Sequence, residues 1–151
     1  MRLTTMTDYA LRLLLYLGQH PEGLCTTAEI AGVYQISEAH LTKITHLLGQ
    51  QGFIATVRGK GGGMRLAQEP AVLSLGALVR AVEPDFQLVE CLGEGNSCAL
   101  TGACRLTSIF KSARDAFLAE LDAHTLADLL KPATAKRLAT ISLPGHTPAR
   151  H

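Results

Sequence analysis

A glycine-rich tip between two alternating segments, "FIATVRGKGGGMRLA" (residues 53–67), constrains the fold of this chain more than any other feature. Apolar and polar residues alternate on both sides of "RGKGGG", which predicts a β-hairpin with a long tip. The tip lacks the glycine, lysine and hydroxyl spacing of a phosphate-binding nucleotide loop, and a strand rather than a helix follows it. The segment therefore favours a wing, in which Arg58, Lys60 and Arg65 flank glycines that let the backbone approach a phosphate or a minor groove.

A helix-turn-helix pattern precedes the hairpin. "TTAEIAGVY" predicts a short helix with Thr26 or Thr27 as its cap, a turn follows, and Ser37 caps a longer helix that stops at Gly52. The apolar residues expected to pack the two helices together are Ile30, Ile36, Leu41 and Ile44. The positions expected to face the DNA major groove are Ser37, Glu38, Ala39, His40, Thr42, Lys43 and His46. Other small helical bundles share such a pattern, and the hairpin that follows favours the winged form.

The rest of the chain has helical periodicity. "TDYALRLLLYLGQH" predicts an amphipathic first helix with Thr7 as N-cap, and Ser74 caps a later helix that Pro84 ends. From about Gly102 to His124 a long helical pattern carries an apolar stripe of Leu106, Ile109, Phe110, Ala113, Phe117 and Leu121. Such a stripe needs a partner surface. The simplest is the same helix of a second copy related by two-fold symmetry, and packing against its own chain is the alternative.

These elements predict a mainly α protein, a winged helix-turn-helix with a small β-hairpin wing, a cysteine loop and a long dimerisation helix. We expect the DNA-binding domain over residues 1–83 and a cofactor-binding cysteine loop over residues 84–104. The dimerisation helix and a short following helix should occupy residues 105–141, and residues 142–151 should form a disordered tail.

Charge and hydropathy limit the class of protein. The net charge of +1 divides into +2 over residues 1–66, −4 over residues 67–104 and +3 over residues 105–151. A basic front segment permits a nucleic-acid partner. No apolar run is long enough to span a membrane, and Asp8 and Arg12 interrupt the apolar N-terminal segment, which argues against a signal peptide. We therefore expect a cytoplasmic protein.

Three of the four cysteines, Cys91, Cys98 and Cys104, lie within the fourteen residues "CLGEGNSCALTGAC". Three thiols do not pair off, and a reducing compartment disfavours disulfides. Structural zinc prefers four ligands with close pairs, and the next histidine, His124, lies beyond a long helix. A wide glycine-rich loop before a helix N-terminus suits an iron–sulfur cluster better, with zinc as the weaker alternative.

Together these features resemble the NsrR-type nitric-oxide-sensing transcriptional repressors, in the winged-helix iron–sulfur regulator family that also includes IscR-type proteins. The resemblance runs from "MRLTTMTDYALR" through "VRGKGGGMRL" and the cysteine loop to "FLAELDAHTLADL". It implies a 4Fe–4S cluster whose ligands are Cys91, Cys98, Cys104 and Asp8 of the partner subunit. Arg12, one helical turn after Asp8, is expected to pair with that carboxylate and orient it.

The resemblance also implies a homodimeric repressor that binds a double-stranded DNA operator, an imperfect palindrome, and releases it when nitric oxide nitrosylates the cluster. IscR-type proteins place a histidine ligand three residues after the last cysteine and bind 2Fe–2S, whereas this chain has Thr107 there. A 2Fe–2S regulator that senses redox or iron–sulfur status is the alternative. Cys25 has no match in the motif and is expected to be a packed small hydrophobe. We find no nucleotide fingerprint or acid–base pair, so we expect no enzyme.

Overall fold

Seven helices and one two-stranded antiparallel sheet make up the part of the chain that the computed structural model describes, residues 2–141. The helices are α1 (Thr5–Gln19), α2 (Thr27–Tyr34), α3 (Glu38–Gln50), α4 (Leu75–Val82), α5 (Leu106–Asp122), α6 (Leu126–Leu129) and α7 (Pro132–Ile141). The strands, β1 (Ile54–Val57) and β2 (Gly63–Leu66), follow α3. Short 3-10 turns lie at Pro70–Val72 and Glu90–Leu92. The expected tail at residues 142–151 lies outside the described residues.

Helix α1 begins after Thr4, whose hydroxyl accepts a hydrogen bond from the Thr7 backbone N–H at 3.4 Å. The predicted cap, Thr7, is wrong because that residue lies inside the first turn with its side chain fully buried. A carboxylate oxygen of Glu83, just after α4, accepts hydrogen bonds from the Thr4 backbone N–H at 2.7 Å and from its hydroxyl at 3.1 Å. The start of α1 is thereby tied to the end of α4.

The core forms around α1 and continues into the helix-turn-helix. Burying a leucine-sized side chain contributes about 1.5–3 kcal/mol, so the apolar faces of α1, α2 and α3 are driven together. Leu126 of α6 is also buried, which brings the chain after α5 back onto α1. The buried residues include Ala10, Leu13, Leu14, Leu17, Ile30, Ile36, Leu41, Ile44 and Leu48, and the four predicted to join the two helices are among them.

The helix-turn-helix begins with a capping box at Thr26. Its hydroxyl accepts a hydrogen bond from the Glu29 backbone N–H at 3.2 Å, and the Glu29 carboxylate accepts one from the Thr26 backbone N–H at 2.6 Å. These bonds satisfy donors that the first turn of a helix leaves free. Helix α2 ends at Tyr34, and the next residue, Gln35, adopts the left-handed region with φ of 53°, which makes the predicted turn.

The hairpin pairs Ile54 with Leu66 and Val57 with Gly63, and so confirms the predicted wing. Cys25 forms an isolated antiparallel bridge with Met64 of β2. The Cys25 backbone N–H donates to the Met64 carbonyl at 2.9 Å, and the Met64 N–H donates to the Cys25 carbonyl at 2.8 Å. The Cys25 side chain is buried, as expected, and burial raises the pKa of its thiol. The wing is thus joined to the residue just before α2.

Helix α4 confirms Ser74 as its cap, since the Ser74 hydroxyl accepts from the Ala77 backbone N–H at 3.3 Å. Helix α5 begins at Leu106, later than expected, because Gly102 adopts φ of 87° in a turn ahead of it. No residue of α5 is buried, and Leu106 and Ile109 are 55% and 56% exposed. Of the predicted apolar stripe, Leu106, Ile109 and Ala113 are exposed in a single chain, and the other three residues, Phe110, Phe117 and Leu121, are half-buried. The expected boundaries between segments stay predictions.

None of the helices within residues 2–141 is both long enough and apolar enough to cross a membrane.

Candidate functional site

The outward face of α3 gathers every residue predicted to meet the major groove. Leu41, Ile44 and Leu48 are buried against the core, which fixes the rotation of the helix and turns the remaining positions outward. The Thr42 hydroxyl donates to the Glu38 carbonyl at 2.9 Å and so lies along the helix. Ser37 occupies the N-cap position, but its side chain makes no capping hydrogen bond. The exposed set is Ser37, Glu38, Ala39, His40, Thr42, Lys43 and His46.

The wing tip presents the second predicted surface, where Arg58, Lys60 and Arg65 are exposed. Gly59 sits at φ of 102° in the left-handed region that disfavours other residues. A Cβ at Gly62 would overlap the Val57 carbonyl oxygen. Glycine is therefore required for this turn, which places Arg58 and Lys60 at the end of the hairpin, whereas Arg65 lies within β2 opposite Ala55.

The three clustered cysteines line one pocket. Cys91 lies in the Glu90–Leu92 turn, Cys98 is exposed on the loop, and Cys104 precedes α5. The pocket has a volume of about 220 Å³, and apolar side chains form much of its wall, those of Val89, Leu100, Leu106 and Phe110. The structure therefore brings together three thiols that are thirteen positions apart in sequence from first to last.

Polar side chains close the cysteine loop on itself. The Glu90 carboxylate accepts hydrogen bonds from the Ser97 backbone N–H at 2.9 Å and from its hydroxyl at 2.7 Å, which lowers the pKa of Glu90. The Asn96 side-chain oxygen accepts from the Cys98 N–H at 2.9 Å, and the Thr101 hydroxyl donates to the Cys98 carbonyl at 2.6 Å. The sequence analysis missed these residues, although Asn, Ser and Thr between glycines are typical of such turns.

One hydroxyl reaches a thiol directly. The Oγ1 of Thr107, in the first turn of α5, donates to the Sγ of Cys91 at 3.3 Å. The sequence singled out Thr107 only because it is not histidine, and its contact with sulfur was not predicted.

Asp8 lies away from the cysteine pocket of its own chain. Arg12 pairs with its carboxylate through Nε at 3.2 Å and a terminal nitrogen at 2.9 Å, which confirms the predicted pairing. The Arg12 guanidinium lies 5.9 Å from the ring centroid of Tyr9 and 6.0 Å from that of Tyr34. Burial raises the pKa of Tyr34 to about 12. Asp8 and Arg12 share a cleft with Gln35 of the helix-turn-helix turn, and no sequence signal identified Tyr34.

The donor set fits an iron–sulfur cluster better than a single ion. Within residues 2–141 no three His, Cys, Asp or Glu side chains are grouped closely enough to hold one metal ion. The cysteines of a cluster bind separate iron atoms and stand farther apart than the ligands of one zinc ion. Three thiols around one largely apolar pocket match that requirement and leave a fourth ligand to be supplied.

Comparisons with known proteins agree with this architecture. A family model described as "Rrf2: Iron-dependent Transcriptional regulator" matches residues 3–132. The HTH-type transcriptional regulator NsrR of Geobacillus kaustophilus is 49% identical over 91% of this chain and 95% of its own length. The protein of the same name from Bacillus subtilis is 43% identical over 87% of this chain and 91% of its own length. The resemblance inferred from the sequence is confirmed.

Solved structures give the same fold. CymR, the global cysteine regulator of B. subtilis, aligns with a TM-score of 0.71 at 26% identity, over 86% of this chain and 96% of CymR. IscR of T. potens aligns with a TM-score of 0.71 at 27% identity, over 88% of each chain. These relatives are transcriptional regulators, which confirms that the chain is not an enzyme. The chain belongs to the Rrf2 family and is a DNA-binding transcriptional regulator with a winged helix-turn-helix.

Proposed function

We propose that this protein is a cytoplasmic, homodimeric repressor that releases a palindromic DNA operator when nitric oxide reacts with a 4Fe–4S cluster. The proposed ligands are Cys91, Cys98 and Cys104 of one protomer and Asp8 of the partner subunit. The observation that carries the proposal is the gathering of three thiols around one pocket of about 220 Å³. The resemblance to NsrR-named regulators supports the signal.

In the proposed dimer, the second protomer supplies the fourth ligand of the cluster and covers exposed apolar side chains. The chain's own Asp8 does not line the cysteine pocket. The carboxylate that does line it, Glu90, accepts hydrogen bonds from Ser97, so we assign the fourth ligand to Asp8 of the partner subunit. The apolar side chains beside the pocket, Leu100, Leu106 and Ile109, are 61%, 55% and 56% exposed. A two-fold dimer would cover these side chains with the same surface of the partner.

The ligand residues and Arg12 would couple the reaction with nitric oxide to the DNA-binding domains. When bound, the cluster would supply iron atoms that react with nitric oxide, and a carboxylate corner is displaced more readily than a thiolate corner. The cysteines hold the loop of one protomer, and Arg12 orients the carboxylate of Asp8 at the first turn of α1. Ligation from both chains ties each loop to the other DNA-binding domain and sets the spacing of the two α3 helices. Loss of that tie relaxes the spacing, and the operator is released.

The DNA surface follows from the exposed residues. Lys43 and His46 of α3 would enter the major groove, and Arg58 of the wing would lie near the minor groove or the phosphates. Two-fold symmetry predicts half-sites about one helical turn, roughly 34 Å, apart or a multiple of it.

The test is anaerobic purification followed by iron, sulfide and zinc analysis. We expect iron and sulfide near four per chain, and a palindromic duplex selected from a random pool by the cluster-loaded protein. Titration with nitric oxide should then release that duplex. Cys91→Ala, Cys98→Ala and Cys104→Ala should each abolish cluster-dependent binding, whereas Cys25→Ala, the matched control, should retain the cluster.

Other results contradict the proposal. Stoichiometric zinc without sulfide excludes the cluster, and two irons per chain supports the 2Fe–2S alternative. An Asp8→Ala protein with unchanged cluster stability and nitric-oxide response removes Asp8 from the ligand set. A cluster-loaded protein that stays on its duplex in excess nitric oxide excludes the proposed signal.

A further inference from the structure

We propose that Thr107 is a positioning residue that donates a hydrogen bond to the iron-bound sulfur of Cys91 and stabilises the reduced form of the cluster. The inference rests on the proposed function, because it concerns the same cysteine pocket. It adds a residue that is not a ligand. The contact that carries it is the 3.3 Å separation of Thr107 Oγ1 and Cys91 Sγ.

The contact is specific to this hydroxyl. A hydroxyl on a helix ordinarily donates to a carbonyl of the preceding turn. Ser108, the next residue, does so to the Arg105 carbonyl at 2.8 Å, and Thr101 donates to the Cys98 carbonyl at 2.6 Å. Thr107 directs its only proton to sulfur instead. Its side chain is partly buried and forms part of the pocket wall, so water has limited access to compete for that bond.

The position of Thr107 is fixed by the local fold. The left-handed turn at Gly102 delays the start of α5 to Leu106, which places residue 107 in the first helical turn. Cys91 lies beside it, in the Glu90–Leu92 turn. The first turn of α5 and the Glu90–Leu92 turn are therefore neighbours, and the Thr107 hydroxyl points at the Cys91 sulfur.

The chemical effect follows from charge. A thiolate bound to iron keeps lone pairs that accept hydrogen bonds. One-electron reduction by an external reductant adds one negative charge to the cluster, part of which resides on the sulfur ligands. An O–H donor stabilises that added charge, and hydrogen bonds to cluster sulfurs are a recognised control of cluster potential. Thr107 should therefore raise the reduction potential.

The experiment compares Thr107→Val, Thr107→Ser and Ser108→Ala in anaerobically loaded full-length protein. Valine keeps the shape and removes the donor, and serine keeps the donor. Ser108→Ala removes a neighbouring hydroxyl that does not contact sulfur. The reduction potential is measured by titration with dithionite and redox dyes, and the terminal iron–sulfur stretches by resonance Raman in H₂O and D₂O.

We expect Thr107→Val to shift the potential to a more negative value and to remove the deuterium shift of one terminal iron–sulfur stretch. Thr107→Ser and Ser108→Ala should keep both properties. If valine lowers cluster loading, Thr107→Ala provides the same test with a smaller side chain. Loaded valine and alanine variants with the wild-type potential and deuterium shift overturn the inference and leave the proposed function intact. A wild-type protein without iron and sulfide overturns both.

Discussion

Arg80 of α4 and Asp122 at the end of α5 form a two-pronged ion pair, with nitrogen–oxygen distances of 2.5 and 2.7 Å. The pair lies against Gly76, where a Cβ would overlap the Asp122 carboxylate. The hydrogen bonds from Arg80 lower the pKa of Asp122, and those to Asp122 raise the pKa of Arg80. This contact joins α5 to the helix that follows the wing.

Asp122→Asn should reduce the fall in the free energy of unfolding at acidic pH, which is the acid limb of the plot of unfolding free energy against pH. Because the folded-state pKa of Asp122 lies below the ordinary value of 3.8, its stabilising contribution is present above that value. The contribution begins to fall near pH 3.8 and is lost as the pH drops through the lower folded-state pKa. The difference in unfolding free energy between wild type and Asp122→Asn should shrink over that window, measured by urea unfolding at stepped pH.

Gly76→Ala is the companion variant, since it displaces the Asp122 carboxylate without changing its charge. It should flatten the same limb. A Gly76→Ala profile with the wild-type acid limb would contradict the assignment of that limb to the Arg80–Asp122 pair.

Thr26→Ala should lower the free energy of unfolding by about 1 kcal/mol, because it removes the N-cap of α2. Thr27→Ala is the matched control, since that residue is the first of the helix and not its cap. Its effect should be less than half as large. Equal losses for the two variants in urea unfolding would show that the capping box contributes nothing particular.

Thr7→Val should raise the free energy of unfolding by about 1 kcal/mol. The Thr7 side chain is fully buried, and within residues 2–141 its hydroxyl has no hydrogen-bond partner. Valine keeps the branched shape and removes the unsatisfied hydroxyl. Thr5→Val, at an exposed position in the same turn, should change stability little. A destabilised Thr7→Val protein would mean that the hydroxyl is satisfied in solution.

Gly63→Ala and Gly49→Ala should act in opposite directions. A Cβ at Gly63 would lie 2.8 Å from the Cys25 carbonyl oxygen, and that backbone contact should cost about 1–3 kcal/mol. A Cβ at Gly49, in α3, meets nothing within 4 Å, so alanine should raise stability by up to about 1 kcal/mol. Thermal unfolding with calorimetry measures both. A Gly63→Ala protein as stable as the wild type would contradict the packing of the wing on Cys25, and a destabilised Gly49→Ala protein would contradict the open space at that position.

Lys43→Ala should weaken binding to duplexes of every sequence and lower the slope of log affinity against log salt by about 1, if Lys43 contacts a phosphate. Lys131→Ala, at an exposed residue outside α3 and the wing, is the control and should keep the wild-type slope. Fluorescence anisotropy from low to moderate salt gives the slopes. Identical slopes for wild type and Lys43→Ala would remove Lys43 from the DNA contact surface.

Local signals predicted the helix-turn-helix well. The stripe of Leu41, Ile44 and Leu48 and the cap at Thr26 depend on residues three or four apart, so the periodicity and cap chemistry of the sequence carry them. The wing was predictable for the same reason, because its alternation and its glycines are adjacent in the chain.

Distant contacts explain what the sequence did not predict. Threonines occur at positions 4, 5 and 7, and the contact that favours Thr4 as the cap comes from Glu83, seventy-nine residues away. The start of α5 and the contact of Thr107 with Cys91 likewise depend on how the loop closes through Glu90 and Ser97. Spacing identified the three thiols but not the side chains that arrange them.

Helix α5 is anchored at one end. Near its C-terminus the Leu75 N–H donates to the His124 carbonyl at 3.0 Å, and the Leu126 N–H donates to the Leu73 carbonyl at 2.8 Å. At its other end Leu106 is more than half exposed beside the cysteines. Seventeen residues span roughly 25 Å at a rise of about 1.5 Å each, so a tilt of about 10° at the anchored end displaces the other by roughly 4 Å. A small rotation about the anchored end, next to α4 and α6, would therefore move the N-terminal end of α5 relative to the DNA-binding half, and that end closely follows Cys104 and contacts Cys91.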